Sequence, residues 1–173
     1  MQRSFSGRIV RTMVDLARCT PFLLIAYVVY YGLPSVGIRL DNWVAGLGAL
    51  MVYHAAYVAE IVRGAWIEQP RDSLEAARAY GYFGFRLFRH IVFPPLALAS
   101  APVLGNQLVQ IIKDSAFLTV IAIPELTNAA SSIQSRRYVP FASFVVAMLL
   151  YWALCLLVEA LVSAARRIAE SRR

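Results

Sequence analysis

Four apolar stretches of near-membrane length, separated by segments that hold most of the charge, limit what this chain can fold into. They cover roughly residues 16–33, 42–61, 95–112 and 141–161. A helix needs about 20 mainly apolar residues to cross a bilayer. In hydrocarbon every backbone donor and acceptor has to be satisfied, so such stretches are helical. The second, third and fourth reach the required length. The first, interrupted by Arg18 and Pro21, reaches it only if it begins before Arg18. The expected fold is all-α integral membrane, a single domain over residues 1–173 with about four transmembrane helices. Composition agrees: 16% of residues are charged and 60% are hydrophobic, whereas a soluble domain carries about 25% charged residues.

The net charge of +7 is almost entirely arginine. In a soluble domain such an excess suggests nucleic acid. Here the arginines sit at the ends of apolar stretches, so no nucleic-acid partner is expected and the lipid bilayer is the surrounding medium. Arg3, Arg8, Arg11 and Arg18 precede the first stretch, and Arg63, Arg71, Arg78, Arg86 and Arg89 fill the gap between the second and third. Arg166, Arg167, Arg172 and Arg173 follow the fourth. The positive-inside rule then places both termini and residues 63–93 in the cytoplasm, with Arg136 and Arg137 running mildly against it. A polar, basic start and a long first stretch argue against a cleavable signal peptide. Cys19 and Cys155 lie in apolar surroundings and read as small buried hydrophobes rather than a disulfide.

The polar segment 70–95 reads as two short helices. Asp72 is placed to cap the first, with Glu75 three residues later as in a capping box. Gly81 suits a left-handed stop. A second helix is expected over 83–90, and Pro94-Pro95 marks re-entry into the membrane. Between residues 113 and 140, the apolar run 116–123 is too short to span, so a re-entrant or interfacial segment is expected there.

Within this loop, Glu75-Ala76-Ala77, Gly81, Ile91 and Pro94 follow the spacing E-A-A-x3-G-x9-I-x-L-P, with Phe93 at the Leu position. The segment resembles the EAA loop of permease subunits of ATP-binding cassette importers. Thr20-Pro21, Tyr31-Gly32-Leu33-Pro34, Ala59-Glu60-Ile61-Val62-Arg63-Gly64, Gly105-Asn106-Gln107, Lys113-Asp114-Ser115 and Ile123-Pro124-Glu125-Leu126 follow in order. As a set they are similar to permeases of the polar amino acid importers (His, Glu, Gln, Arg, opine). Cys19 replaces the Gly usual before Thr-Pro. The family has five spans and its N-terminus outside, and its first helix is expected to be missing from this chain. The resemblance implies that the loop docks on a separate ATPase through Glu75, Ala76, Ala77, Gly81, Tyr82, Phe83 and Pro94. It further implies a second permease chain, identical or homologous, a periplasmic solute-binding protein meeting the outer face near residues 114–138, a polar amino acid substrate and a bacterial inner membrane.

Polar residues inside apolar stretches are costly, about 2.5–3.5 kcal/mol for a charge at mid-bilayer, and so are functional candidates. Glu60 and Arg63 are spaced to pair on one helix face. Asn106, Gln110 and Lys113 or Asp114 recur at helical spacing, next to Gln107. Such a stripe suits a cavity that takes an amino acid zwitterion, and it equally suits hydrogen bonding between helices. His54 reads as a satisfied packing residue rather than a ligand. Ala45, Ala49, Ala55 and Ala59, and Ala97 with Ala101, give the small-residue spacing of closely packed membrane helices.

There is no phosphate-binding G-x-x-x-x-G-K-[ST] motif, and Lys113 is the single lysine. ATP and magnesium are therefore expected on the partner ATPase, with no cofactor and no metal on this chain and no catalytic residue in it. The rival readings are an importer permease for methionine or an osmolyte, and an inactive or regulatory membrane subunit.

Overall fold

The computed structural model describes residues 5–171, all of whose regular structure is helical. Helix α1 (Phe5–Cys19) is followed by α2 (Phe22–Tyr27), which continues as a π-helical turn (Val28–Gly32) and a 3-10 turn (Leu33–Val36). The long α3 (Asn42–Ile67) leads into the short α4 (Arg71–Ala79). Next come α5 (Gly84–Leu87), a π-helical turn (Phe88–Val92) and α6 (Phe93–Ser115). A 3-10 turn (Ala116–Ile121), α7 (Leu126–Arg137) and α8 (Pro140–Ser171) complete the chain. Arg3, Arg172 and Arg173, counted in the charge asymmetry, lie outside the described residues.

Three helical stretches are long and apolar enough to cross a membrane: Asn42–Ile67, Gly84–Ile121 and Pro140–Arg167. The fourth expected span is not one straight helix. Gly7–Cys19 and Phe22–Val36 meet at 105°. Pro21 lacks a backbone N–H and biases the residue before it away from the helical region, so the chain turns at Thr20-Pro21. Cys19, expected to be buried, is exposed at this corner, while Cys155 is buried.

The loop between α3 and α6 differs in detail from expectation. Helix α4 begins at Arg71, so Asp72 lies inside its first turn and no side chain caps its start. The capping box with Glu75 is therefore not formed. Asp72 still lies at the positive end of the helix dipole. Gly81 adopts φ 81°, the left-handed stop that glycine tolerates. After Gly84, also left-handed at φ 54°, the second helix does not end before the membrane. It runs through a π-helical turn into α6, with Pro94 and Pro95 in the first turn, where a missing N–H leaves no bond unmade. Gln69 closes the loop at its base by donating to the Val92 carbonyl at 2.9 Å.

Helix α6 is central, packing on α3 and on α8, while α1 lies along α3 and α7 along α8. The core gathers Phe22, Ala26, Ala49, Leu50 and Tyr53 around Leu118, Ile121 and Ile123. The segment after α6 folds back in two left-handed steps, Ala122 (φ 58°) and Tyr138 (φ 56°). Its run 116–123 plugs the α2–α3 core, as expected of a segment too short to span. Of the small residues, Ala45 and Ala49 are buried together with Gly46, whereas Ala55 and Ala59 are exposed.

Gly46 lets the 118–123 plug approach α3. A β-carbon there would run into Ile123 Cδ1 and come within 2.9 Å of Ile121 Cδ1 and 3.2 Å of Leu118 Cδ2. Both isoleucines are 1% exposed and have nowhere to move. Gly46→Ala should cost about 1–3 kcal/mol. Gly64→Ala, where nothing lies within 4 Å, should be neutral or gain about 0.5–1 kcal/mol. Thermal unfolding in detergent micelles checks both.

Candidate functional site

The first candidate region is the α4–α5 corner. Glu75 and Ala76 are exposed and Ala77 is buried, so α4 stands on the molecule by its Ala77 side and presents Glu75 outward. Beyond it Tyr80, Phe83 and Phe85 are 85%, 65% and 76% exposed. Tyr82 is half-buried and lies under Arg86, whose guanidinium carbon is 5.2 Å from the ring centre. Large exposed aromatics beside small residues form a surface suited to a protein groove, because aromatics supply most hot spots. Pro94, counted with this group, is half-buried in the first turn of α6 and belongs to the mounting rather than to the exposed tip.

The second region joins α3 to α6. His54, 3% exposed, meets Gln107 with 2.6 Å between Nδ1 and the amide nitrogen. Its Nε2 lies 3.5 Å from Oδ2 of Asp114, itself 7% exposed. Gln110 donates to the other Asp114 oxygen at 2.8 Å. The expected single stripe on α6 is therefore two. Gln107 and Asp114, seven residues apart, face α3. Asn106, Gln110 and Lys113 lie on the exposed side. Gln110 alone belongs to both, because its amide reaches back to Asp114. His54 packs among the polar residues of α6, but it is not fully satisfied as expected: Nδ1 meets Gln107, whereas the buried Nε2 has no hydrogen-bond partner and only the Asp114 carboxylate nearby.

Aromatic rings continue the cluster. Tyr53 stands edge-on to His54 at 5.1 Å, and its hydroxyl is 3.1 Å from that of Tyr57. Tyr57 donates to the Arg18 carbonyl at 3.1 Å, where α1 ends. Glu60 pairs with Arg63 as expected, with Arg63 Nε donating at 2.7 Å, and it also lies 3.8 Å from Arg18. This pair is at the arginine-rich end of α3, removed in sequence from the His54 cluster. Tyr53 and Tyr57 are four apart on α3 and pair with each other, a spacing the sequence shows, whereas the contact of Tyr57 with the end of α1 at Arg18 has no local signal.

A third polar centre sits at the opposite end. Glu125 caps α7, accepting from the Thr127 and Asn128 amides at 2.7 and 2.6 Å. Tyr151 of α8 donates to the same carboxylate at 2.8 Å. Among the described residues no group of three or more His, Cys, Asp or Glu could hold a metal ion.

Comparison with known proteins defines the class. Residues 1–167 match the family described as the binding-protein-dependent transport system inner membrane component, and the chain belongs to that family. It is 36% identical over 141 residues to the "Probable glutamine ABC transporter permease protein GlnM" of Bacillus subtilis, covering 82% of this chain and 65% of that protein. It is 34% identical over 176 residues to the nopaline transport system permease protein NocM of Agrobacterium fabrum, covering 94% and 73%. A solved structure of an amino acid ABC transporter with histidines superposes with a TM-score of 0.86 at 30% identity, over 95% of this chain and 78% of that one. The chain thus spans about two thirds of the length of GlnM, and it is embedded in a membrane, as the family description and its apolar helices require.

Removing Gln107 would leave the His54 Nδ1 without a partner in a buried site. Gln107→Leu should cost about 1–3 kcal/mol, whereas Asn106→Leu, on the exposed side, should stay within about 0.5 kcal/mol. Denaturation of the two variants in the same detergent separates them.

Proposed function

We propose that this chain is the permease subunit of an ATP-driven importer for polar amino acids. The observation that carries the reading is the α4–α5 corner: an E-A-A-x3-G segment, exposed and flanked by bare aromatics, mounted between two membrane-crossing helices. The names of GlnM and NocM, an amino acid and an opine permease, support the substrate class. The whole chain, residues 1–173, acts as one membrane domain, with residues 70–95 as its coupling loop. A second permease chain, identical or homologous, faces the exposed Asn106–Gln110–Lys113 side of α6, so the path runs between the two. Gln107, Asp114 and Glu60 bound it from behind, and an amino acid finds both donors and acceptors along it. ATP and magnesium are held by ATPase subunits docked on Glu75, Ala76, Ala77, Gly81, Tyr82 and Phe83, over Pro94. Both termini and the loop lie in the cytoplasm, and a periplasmic solute-binding protein delivers substrate to the other face. Closure of the ATPases pushes the two loops together and switches access as a rigid-body change.

Co-purification tests the reading. A P-loop ATPase should come down with the tagged chain from the native membrane. Glu75→Lys, at an exposed site where folding is untouched, should weaken its retention about 30-fold, the effect of losing one hot spot of ~2 kcal/mol. Gly81→Trp should do the same by forcing a bulky residue into a left-handed turn. Uptake of labelled amino acids should fall with retention. Asp114→Asn should instead lower uptake roughly tenfold or more with the ATPase still bound, as expected for a polar group on the path. An ATPase that is absent, or retained equally by Glu75→Lys, sinks the proposal.

A further inference from the structure

The corner at Thr20-Pro21 turns α1 out of line with the segment that follows, at 105°. The two segments are long and apolar enough to cross a membrane only when counted together as a bent pair, and a helix turned by that angle suits the bilayer surface. Its composition fits that position. Ile9, Val10, Met13 and Leu16 are exposed along one side, and Arg8, Arg11, Asp15 and Arg18 form a charged stripe along the other. A helix with an apolar face and a basic face lies at the boundary between headgroups and acyl chains.

Between α1 and α3 there is a cleft of about 450 Å³. Val10, Val14, Ala59 and Ile67 make its walls, and Arg8 and Arg11 stand at its edge. The one carboxylate lining it, Glu60, is already engaged by Arg63 and lies 3.8 Å from Arg18. Arg11 makes one ion pair, with Asp15 at 3.8 Å, loose and more than half exposed on both sides, and its charge also acts on Glu60. Arg8 has no ion pair among the described residues. The cleft therefore combines an apolar trough with uncompensated positive charge at the level of the headgroups.

We infer that this cleft binds one anionic phospholipid, its phosphodiester held by Arg8 and Arg11 and its acyl chains lying along Val10, Val14 and Ala59. Phosphate oxygens are drawn to positive side chains, and basic residues at the membrane surface select anionic over zwitterionic lipid by their charge. The lipid tethers α1 to the bilayer and, through Glu60 and Arg18, steadies the end of α3 that leads into the α4 corner. This inference does not depend on any ATPase or transported solute.

The test uses the purified full chain in detergent, incubated with equal amounts of phosphatidylglycerol and phosphatidylcholine of identical chains. Lipid retained after gel filtration is then quantified. The wild type should retain phosphatidylglycerol preferentially. Arg8→Gln should lower that retention about fivefold and Arg8→Gln/Arg11→Gln about 25-fold, with phosphatidylcholine unchanged. Arg136→Gln/Arg137→Gln, which removes the same charge at the far end, should leave the ratio intact. Arg8→Lys/Arg11→Lys should keep the preference, and melting temperatures in phosphatidylcholine report whether each variant is folded. Equal retention of the two lipids by wild type overturns the inference, because the cleft is then filled by protein or by unselected lipid. So does Arg8→Gln behaving as wild type, or loss of the preference in a Lys variant that melts normally.

Discussion

Helices α3 and α6 are held together by polar groups that neither could carry alone into lipid. His54 lies on α3, and Gln107 and Asp114 lie on α6; His54 and Asp114 are nearly out of reach of solvent and Gln107 is half-buried. A buried polar side chain without a partner costs more than the net value of its hydrogen bond. The cost is steeper where no water can take the partner's place. Sliding either helix by one turn would strip His54 of Gln107 and Asp114 together and leave Asp114 only Gln110 of its own helix. The pairing thus fixes the register of the two helices in a way that packing of alanine and valine does not. The rest of the core is built around that register: Tyr53 against His54, Phe22 against Tyr53 at 5.4 Å, and the 118–123 plug against Gly46.

The same two helices are fastened a second time at the arginine-rich end. Gln69, just past α3, reaches the Val92 carbonyl, just before α6. Val92 lies in a π-helical turn, where the regular ladder is interrupted and a carbonyl is available to a side chain. The α4 corner is therefore a closed hairpin with a short base rather than a floppy insertion. A force on Glu75 or Phe83 is delivered through that base to α3 and α6 together. A shared polar joint also connects them further along. Such a mounting suits an element that transmits motion, because a compliant loop would absorb the displacement.

How much of this was legible in the sequence follows from whether the signal was local. The spans at α3, α6 and α8 are continuous apolar runs. The Gly81 stop requires a residue type that the sequence displays, and Glu60 and Arg63 are three apart on one helix. The bend after α1 was half legible, since Pro21 marks a break but not its angle. Pro94-Pro95 marks re-entry into the membrane but does not reveal that one helix runs on through it. That 113–140 does not span is legible from its short apolar run, but its two turning points are not: the left-handed stops are Ala122 and Tyr138, held there by surrounding structure rather than by glycine. The His54–Gln107 contact spans 53 positions, and nothing in either neighbourhood names the other. A helical wheel of α6 alone could not decide whether Asn106 or Gln107 faces α3, because adjacent residues sit only about 100° apart.

The two ends of the molecule differ in how much they leave unsatisfied, and that difference has a mechanical meaning. At the α7 end Glu125 saturates itself with two amides and Tyr151, tying α7 to α8 in one fixed arrangement. A carboxylate holding three donors is a lock, since moving α8 away from α7 would strip a charge-assisted bond from a half-buried acid. At the opposite end the groups that matter are bare: Glu75 is exposed and Tyr80, Phe83 and Phe85 have no covering surface within the chain. Apolar rings left in water are stabilised when something covers them. Such cover is available at the α4 corner, as it is at Tyr138 and Phe141, which are 85% and 83% exposed, but only the α4 corner is fastened directly to both α3 and α6.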